Sequence, residues 1–302
     1  MMALAAGARR FVPAGWLRVG GEDVVGFLQG QCSQDVAGLP VGRCAYALWL
    51  SQKGRVEADS LVFRLGPREY ALLSEGTAGS FLRERFERFI IADDVTVRDD
   101  SDGTEAFWLV GPAEALAESG LGGPLAIGEV RSVSGGLIAR DPRRDGWRSL
   151  WVGPAGAGAE WTARWPGIDA ARWEALRLEA GVIRVPEDLG SGELPNEGGL
   201  ERDAISYTKG CYLGQETVAR LRSMGQVRRR LHRVRGQGPA PGAAVKDLFQ
   251  AGRRVGELRS RADAPGGGFV GFALLTLLHL DSQRGLAVDA AGTESIRIAD
   301  VL

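Results

Sequence analysis

The segment YTKGCYLGQE, residues 207–216, combines an amine, a thiol, an amide and a carboxylate among glycines. Core packing does not require this mixture of groups. Gly210 and Gly214 flank the cysteine, and glycine lets the backbone approach a ligand closely or adopt positive φ. A thiol near an ammonium group has the surroundings of a low-pKa nucleophile or a metal ligand. We therefore place the candidate site at Cys211, with Lys209 as its neighbour.

Upstream of this segment, residues 186–210 are rich in Gly, Pro, Glu and Asn and show little periodicity. A loop of this length inside a compact domain is usually functional or disordered. Before it, the pattern predicts a helix from Asp169 to Ala180, with Asp169 as its N-cap and Gly181 as its terminator. The signature segment thus follows a well-defined helix and a long irregular stretch.

Towards the N-terminus, short strands and amphipathic helices mix without the strict alternation of a parallel sheet, which favours an α+β fold. The pattern predicts helices at 22–31 and 77–91, and a further helix that opens at Gly111-Pro112. It predicts strands at 16–19, 43–50, 55–65, 69–74, 95–98, 106–110, 132–139 and 149–152.

From residue 227 onward the pattern changes to short strand-like runs, which predict a small C-terminal β-barrel domain. These runs are 227–235, 243–249, 253–260, 268–275 and 295–301.

The composition is that of an ordinary globular protein, with 25% charged residues and a net charge of -1. This balance argues against polyanion binding through overall charge. No apolar run approaches the roughly 20 residues of a membrane span. The N-terminal MMALAAGARRFVPAG places its arginines after a short apolar stretch, the reverse of a secretory signal. We expect a cytoplasmic protein without membrane association.

Only three cysteines occur, Cys32, Cys44 and Cys211, and no CxxC or Cys/His ligand spacing is present. This pattern predicts no self-contained metal site and no disulfide framework. Cys32 and Cys44 lie among apolar residues, so we expect both to be buried. The cations are 34 Arg and three Lys. A lysine in such a chain can mark a position that needs a compact ammonium group.

The run RLEAGVIRVPEDLGSGELPNEGGLERDAISYTKGCYLGQETVARL, residues 177–221, resembles the signature of the YgfZ-type folate-binding proteins. These are relatives of the glycine-cleavage T-protein, an aminomethyltransferase. The N-terminal FLQGQCSQDVAGLPVGR and QKGRVEADSLVF are similar to the opening of the same superfamily. The resemblance implies a tetrahydrofolate-binding accessory protein that supports assembly or repair of iron–sulfur enzymes. In bacteria such a protein also affects tRNA thiolation.

The resemblance also implies a T-protein-like architecture, a three-domain cloverleaf around a central channel that admits folate. On this basis we expect an N-terminal α+β domain over 1–110, which shares residues of about 182–226. A second α+β domain would cover 111–181, and the β-barrel domain would cover 227–302. The expected partners are folate and iron–sulfur client or assembly proteins, and we expect a monomer.

Carried over by position, Cys211 matches the signature cysteine of the family. Glu197, in Pro-Asn-Glu, resembles the superfamily glutamate that holds the pterin ring. A carboxylate can accept two charge-assisted hydrogen bonds from a pterin. The implied cofactor is tetrahydrofolate or a derivative, such as the 5,10-methylene or 5-formyl form. The remaining motif residues implied to contact it are Tyr212, Gln215 and Glu216.

The chain departs from the aminomethyltransferases at the Asp-Asp pair, one member of which is catalytic in that family. In the corresponding segment, GRVEAD at 54–59, only Asp59 keeps a carboxylate in register with the pair, because Ala58 stands at the other position. The departure favours the YgfZ branch. A folate-dependent aminomethyltransferase or demethylase is the alternative function.

Several roles stay open at this level. Cys211 could form an adduct, act as a redox partner or ligate a cluster, although one cysteine cannot supply the usual four cluster ligands. Lys209 could lower the thiol pKa, meet the folate tail or be a solvated turn residue. Gln215 and Glu216 could instead support the helix that follows them. Seven arginines between 217 and 245 could attract polyglutamate or RNA phosphates, but no aromatic residues interleave to stack bases, which argues against direct RNA binding.

Overall fold

The computed structural model describes residues 6–111, 123–133 and 135–302, without the side chain of Met224. The chain divides into two compact units. The first contains described residues within 1–52, 57–168 and 203–215, and the second contains 53–56, 169–202 and 216–302. The signature segment therefore belongs to the first unit up to Gln215, and the second unit resumes at Glu216.

One sheet of the first unit has the strand order β3-β4-β5-β2-β6. Its strands are β2 (Gly15–Gly20), β3 (Arg43–Leu50), β4 (Val56–Gly66), β5 (Glu69–Ser74) and β6 (Thr96–Asp99), and its helices are α1 (Val24–Gln31) and α2 (Gly79–Glu87). Phe27 of α1 and Phe86 of α2 share a buried core with Trp49 of β3. The Trp49 and Phe86 rings meet edge to face with centroids 4.8 Å apart. The apolar faces of both helices thus cover this sheet.

The second sheet of this unit has the order β1-β7-β10-β9-β8, and each neighbouring pair is antiparallel. Its strands are β1 (Gly7–Phe11), β7 (Thr104–Val110), β8 (Val130–Val133), β9 (Gly136–Arg140) and β10 (Arg148–Pro154), followed by α3 (Ala159–Arg164). Phe107, Trp151 and Trp161 form its core. Every residue of β7 is buried, because β7 is a central strand of this sheet.

The second unit is built on the sheet β12-β13-β14-β11-β15. Its strands are β11 (Arg229–Gly236), β12 (Asp247–Gln250), β13 (Arg253–Asp263), β14 (Phe269–Thr276) and β15 (Ile296–Val301), and its longest helix is α4 (Ala170–Ala180). The short helix α5 (Glu201–Ala204) has its last two residues in the first unit, and helix α6 (Gln215–Met224) has its first residue there. The edge strands β12 and β15 are linked only through isolated bridges at Leu286 and Ala287. The described strands therefore form an open sheet, and the predicted closed barrel is not confirmed.

The strongest local predictions hold. Helix α4 begins after Asp169, whose carboxylate accepts a hydrogen bond from the Arg172 N–H at 2.8 Å, and it ends at Gly181 with φ 74°. Helix α2 is shorter than the predicted 77–91, and Phe89 and Ile90, which follow its last residue, still pack against the core. The helix predicted from Gly111-Pro112 lies outside the described residues. The division into three domains stays a prediction.

Candidate functional site

The signature loop, residues 206–214, lies across the C-terminal end of α1 and the turn that follows it. At one end the Ser206 N–H donates to the Ser33 carbonyl at 2.9 Å. At the other end the Leu213 N–H donates to the Gly30 carbonyl at 3.0 Å. The N-terminal motif FLQGQCSQD and the signature motif, far apart in sequence, are therefore two halves of one local structure.

Lys209 lies between these two anchors. Its ammonium donates to the carbonyls of Gln29, Cys32 and Gln34 at 2.7, 2.8 and 2.9 Å. An ammonium has three hydrogens, and these three contacts account for all of them. Burial lowers the pKa of Lys209. The geometry supports a role in holding the loop, while a role in lowering the thiol pKa stays a prediction.

Cys211 is an exposed free cysteine. The residue after it, Tyr212, is buried, and burial raises the pKa of its phenol to about 12. The Tyr212 ring centroid lies 5.0 Å from the Lys209 ammonium, within cation–π range. Gly214 takes φ 83°, which confirms the need for positive φ at that position. The loop is thus fixed on both sides of an outward-facing thiol.

The other two cysteines are buried, as the sequence predicts. The Cys32 thiol donates to the Gln34 carbonyl at 3.3 Å. Burial raises the pKa of Cys32 and of Cys44. Both thiols are therefore protonated and inaccessible at neutral pH, which leaves Cys211 as the exposed thiol of the chain.

Gln215 and Glu216 open helix α6. The Gln215 amide oxygen accepts a hydrogen bond from the Tyr212 N–H at 3.3 Å, and Glu216 is an exposed acidic residue in the first turn. Both positions suit the start of a helix, where N–H groups need acceptors and negative charge is favourable. Their predicted contact with folate is untested.

Asp59 lies on β4 and is buried, with 6% of its surface exposed. The Tyr46 hydroxyl donates to its carboxylate at 2.8 Å. Burial and the neighbouring Asp59 charge raise the pKa of Tyr46 well above its ordinary value. The carboxylate of this predicted site residue is therefore held by a phenol from the adjacent strand.

An ion cluster of the half-buried Glu75 with the buried residues Asp141, Arg143 and Arg148 adjoins this pair, and the sequence pattern does not predict it. Asp141 accepts hydrogen bonds from Arg143 and Arg148, and Glu75 is 3.2 and 3.1 Å from the same two guanidinium groups. The Arg143 guanidinium lies 4.7 Å from the Tyr46 ring centroid. The sequence signal was the density of charges in RDPRRDGWR, residues 140–148, directly before an apolar strand.

Glu197 lies in the second unit, in a single 3-10 turn over Pro195–Glu197. It is 4% exposed, and its carboxylate accepts from the Leu194 N–H at 2.9 Å. Arg229 donates to both carboxylate oxygens, at 3.0 and 3.3 Å. A carboxylate has about four acceptor positions, so roughly one position, on the oxygen that Leu194 does not use, is left for a further donor.

The arginines of β11 are paired with acidic residues of the same unit. The pairs are Arg229 with Glu197, Arg230 with Glu201, Arg233 with Asp300 and Arg235 with Glu179. This pairing reduces the positive charge available to a polyanion. The absence of direct RNA binding stays a prediction.

Comparison with known proteins identifies the family. A model of the GCVT N-terminal domain matches residues 12–119. The mitochondrial iron-sulfur cluster assembly factor IBA57 of Homo sapiens is 31% identical over an alignment of 310 residues. The match covers 92% of this chain and 81% of that protein. The tRNA-modifying protein YgfZ of Sodalis glossinidius is 28% identical over 301 residues, with 92% and 87% covered. The chain belongs to the YgfZ/IBA57 family.

Comparison with solved structures identifies the fold of this YgfZ/IBA57 family member. The glycine cleavage system aminomethyltransferase T from Bartonella henselae superimposes with a TM-score of 0.82. It shares 20% sequence identity, with 99% of this chain and 86% of that protein covered. The predicted T-protein-like fold is confirmed, and at this identity the likeness concerns the fold alone.

The predicted residues fall into three groups in this YgfZ/IBA57 family member. In the first unit, Lys209, Cys211 and Tyr212 lie in the signature loop with Gln215 directly after it, and Asp59 lies beside the Asp141 cluster. Glu197 and Glu216 belong to the second unit. Among the described residues, no group of three or more His, Cys, Asp or Glu could hold a metal ion. Within the same ranges, no helix is both long and apolar enough to cross a membrane.

Proposed function

We propose that this protein is a tetrahydrofolate-binding accessory protein for the assembly or repair of iron–sulfur enzymes, acting through Cys211. The observation that carries the proposal is the exposed thiol in a loop fixed on both sides. The names of the relatives, an iron–sulfur cluster assembly factor and a tRNA-modifying protein, agree with it. In bacteria, an effect on tRNA thiolation would follow from the state of the iron–sulfur enzymes that carry it out.

The proposed chemistry of Cys211 is that of one ligand or one reactive thiol. An iron–sulfur cluster takes four protein ligands as a rule. Cys32 and Cys44 are buried, so this chain offers one accessible cysteine sulfur to a cluster. A cluster handled as cargo would therefore keep its other ligands on the client protein or on a small thiol.

Folate would be held in part by Glu197. Bound tetrahydrofolate would supply a one-carbon acceptor or carrier at its N5 and N10 nitrogens. Because Arg229 and Leu194 already use most of the Glu197 acceptor positions, the carboxylate fits one pterin donor as it stands. The bidentate contact would require Arg229 to release one oxygen. Contacts from Asp59, Tyr212, Gln215 and Glu216 belong to the same proposal.

The finer features carried by the family resemblance are also proposals. They are the three-domain cloverleaf around a folate channel, closure of the C-terminal sheet into a barrel, a cytoplasmic monomer, iron–sulfur client or assembly proteins as partners, and no direct RNA binding. The acidic partners of the β11 arginines support the last of these.

Titration of tetrahydrofolate by calorimetry tests ligand and site together. We expect Glu197→Gln to bind about 10- to 100-fold more weakly, because a hydrogen bond to a charged group contributes roughly 1.5–3 kcal/mol. The control is Glu201→Gln, which loses a 3.1 Å pair with the neighbouring Arg230 of the same strand and should bind like the wild type. Thermal unfolding of both variants separates affinity from stability. Equal affinity of Glu197→Gln and wild type would remove Glu197 from the site, and a wild type that binds no folate would refute the cofactor proposal.

A folate-dependent aminomethyltransferase or demethylase is the second candidate, favoured by the retained Asp59 and its Tyr46 partner. Incubation with tetrahydrofolate and an aminomethyl or N-methyl donor distinguishes the two. Multiple turnovers of methylene-folate formation, lost in Asp59→Asn, would replace the accessory role with catalysis. Absence of turnover, together with folate binding, supports the accessory role.

A further inference from the structure

The C-terminal end of α1 accepts two hydrogen bonds from a segment 180 or more residues further along the chain. The last carbonyls of a helix have no partner within the helix and need donors from elsewhere. In α1 the Gly30 carbonyl accepts from the Leu213 N–H, and the Gln29 carbonyl accepts from the Lys209 ammonium. The signature loop therefore supplies donors to a helix end that its own sequence neighbourhood leaves open.

The three carbonyls around the Lys209 ammonium converge from one helix turn and the turn after it. Their distances of 2.7, 2.8 and 2.9 Å are those of good hydrogen bonds. A cation at a helix C-terminus is also favoured by the partial negative charge there. A compact ammonium on a flexible stem suits such a pocket, whereas the planar fork of arginine does not. This accounts for a lysine in a chain whose other cations are almost all arginine.

We infer that Lys209 is a positioning residue, whose ammonium docks the signature loop on the end of α1 and so presents the Cys211 thiol to an iron–sulfur client. The inference rests on the proposed function of Cys211. The ammonium is directed towards the helix end and its hydrogens are used there, while the thiol two residues later faces solvent. Lys209 thus acts on the placement of Cys211.

The three cysteines provide internal reporters of this docking. Cys32 is fully buried, and its own carbonyl is one of the Lys209 acceptors. Cys44 is buried on β3, where its thiol faces the Arg140 carbonyl at 3.8 Å. Loss of the docking contact should open the region of Cys32 locally, because local opening does not require global unfolding. General destabilisation would expose Cys44 as well.

The test compares Lys209→Met with Lys246→Met, which removes an exposed lysine. Alkylation by iodoacetamide under native conditions is followed for each cysteine by mass spectrometry. In Lys209→Met we expect Cys32 alkylation to accelerate about tenfold or more, with Cys44 unchanged, and we expect Lys246→Met to match the wild type. Unchanged Cys32 protection, or equal acceleration at Cys44, would overturn the inference.

Two further readouts test whether Lys209 activates the thiol and whether the proposed function of Cys211 holds. The pH midpoint of Cys211 alkylation should be the same in Lys209→Met and wild type, and a clear upward shift would instead assign Lys209 to thiol activation. In cells that depend on this protein, Lys209→Met should lower iron–sulfur enzyme activity. If Cys211→Ala keeps full activity there, the proposed function fails, while Cys32 exposure still decides whether Lys209 docks the loop.

Discussion

The buried cluster around Asp141 gives the largest stability effect that we expect from one substitution. Asp141 is fully buried and accepts hydrogen bonds from the Arg143 N–H and side chain and from Arg148 Nε at 2.8–3.2 Å. In Asp141→Ala, Glu75 is the one carboxylate of the cluster left to balance two guanidinium groups that are at most 6% exposed. Removing one partner of a buried pair costs about 3–5 kcal/mol, because the remaining charge stays buried without full compensation.

Urea unfolding followed by circular dichroism measures this change, with Asp100→Ala as the matched control. Asp100 also binds an arginine, Arg98, through both oxygens at 2.7 and 2.8 Å, but Arg98 is exposed. Exposed pairs contribute little, so the control should lose only a small fraction of the stability lost in Asp141→Ala. A loss below about 1 kcal/mol in Asp141→Ala, or equal losses in both variants, would refute the assignment of the cluster to stability.

The same cluster predicts a pH dependence with a definite sign. Burial alone would raise the pKa of Asp141 and of Glu75, but the two arginines lower both below their ordinary values. Their stabilising contribution is therefore complete above the unfolded-state pKa values of about 4 and is lost as pH falls through the lower folded values. We expect the wild type to lose stability in acid below about pH 4, and Asp141→Ala to lose part of that dependence.

Two further substitutions test local features. Gly214→Ala should lower the free energy of unfolding by about 1–2 kcal/mol in thermal unfolding, because the backbone φ is 83° there. The control Gly210→Ala, whose added methyl group meets open space, should leave that free energy unchanged. Equal effects of the two changes would contradict the strain argument. Tyr46→Phe should cost about 1.5–3 kcal/mol in urea unfolding, because it removes the hydroxyl that donates to the buried Asp59; a neutral variant would show that this contact is not needed.

The features that could be predicted from sequence are those fixed by neighbouring residues. Asp169 and Gly181 bound α4 because a side-chain cap and a left-handed glycine act within one turn of the helix. The burial of Cys32 and Cys44 followed from their apolar neighbours. The motif 207–216 identified the family because it combines groups that packing does not require.

The features that were missed depend on contacts between distant residues. Arg148 directly precedes the predicted strand 149–152 and has no predicted role, yet it is fully buried, with its guanidinium 3.4 Å from the Trp108 ring centroid. The acceptors of Lys209 lie 175 to 180 residues away, so the sequence left its role open. Neither hydrophobic periodicity nor the spacing of residues indicates which distant residues come into contact.

The most direct test of the central claim is the activity of iron–sulfur enzymes in cells whose own copy of this protein is replaced by Cys211→Ala. The substituted side chain is exposed, so the variant should fold and bind folate like the wild type. We predict that iron–sulfur enzyme activity falls towards the level of cells that lack the protein. Activity equal to that of the wild type, at equal protein abundance, would contradict the role of the thiol.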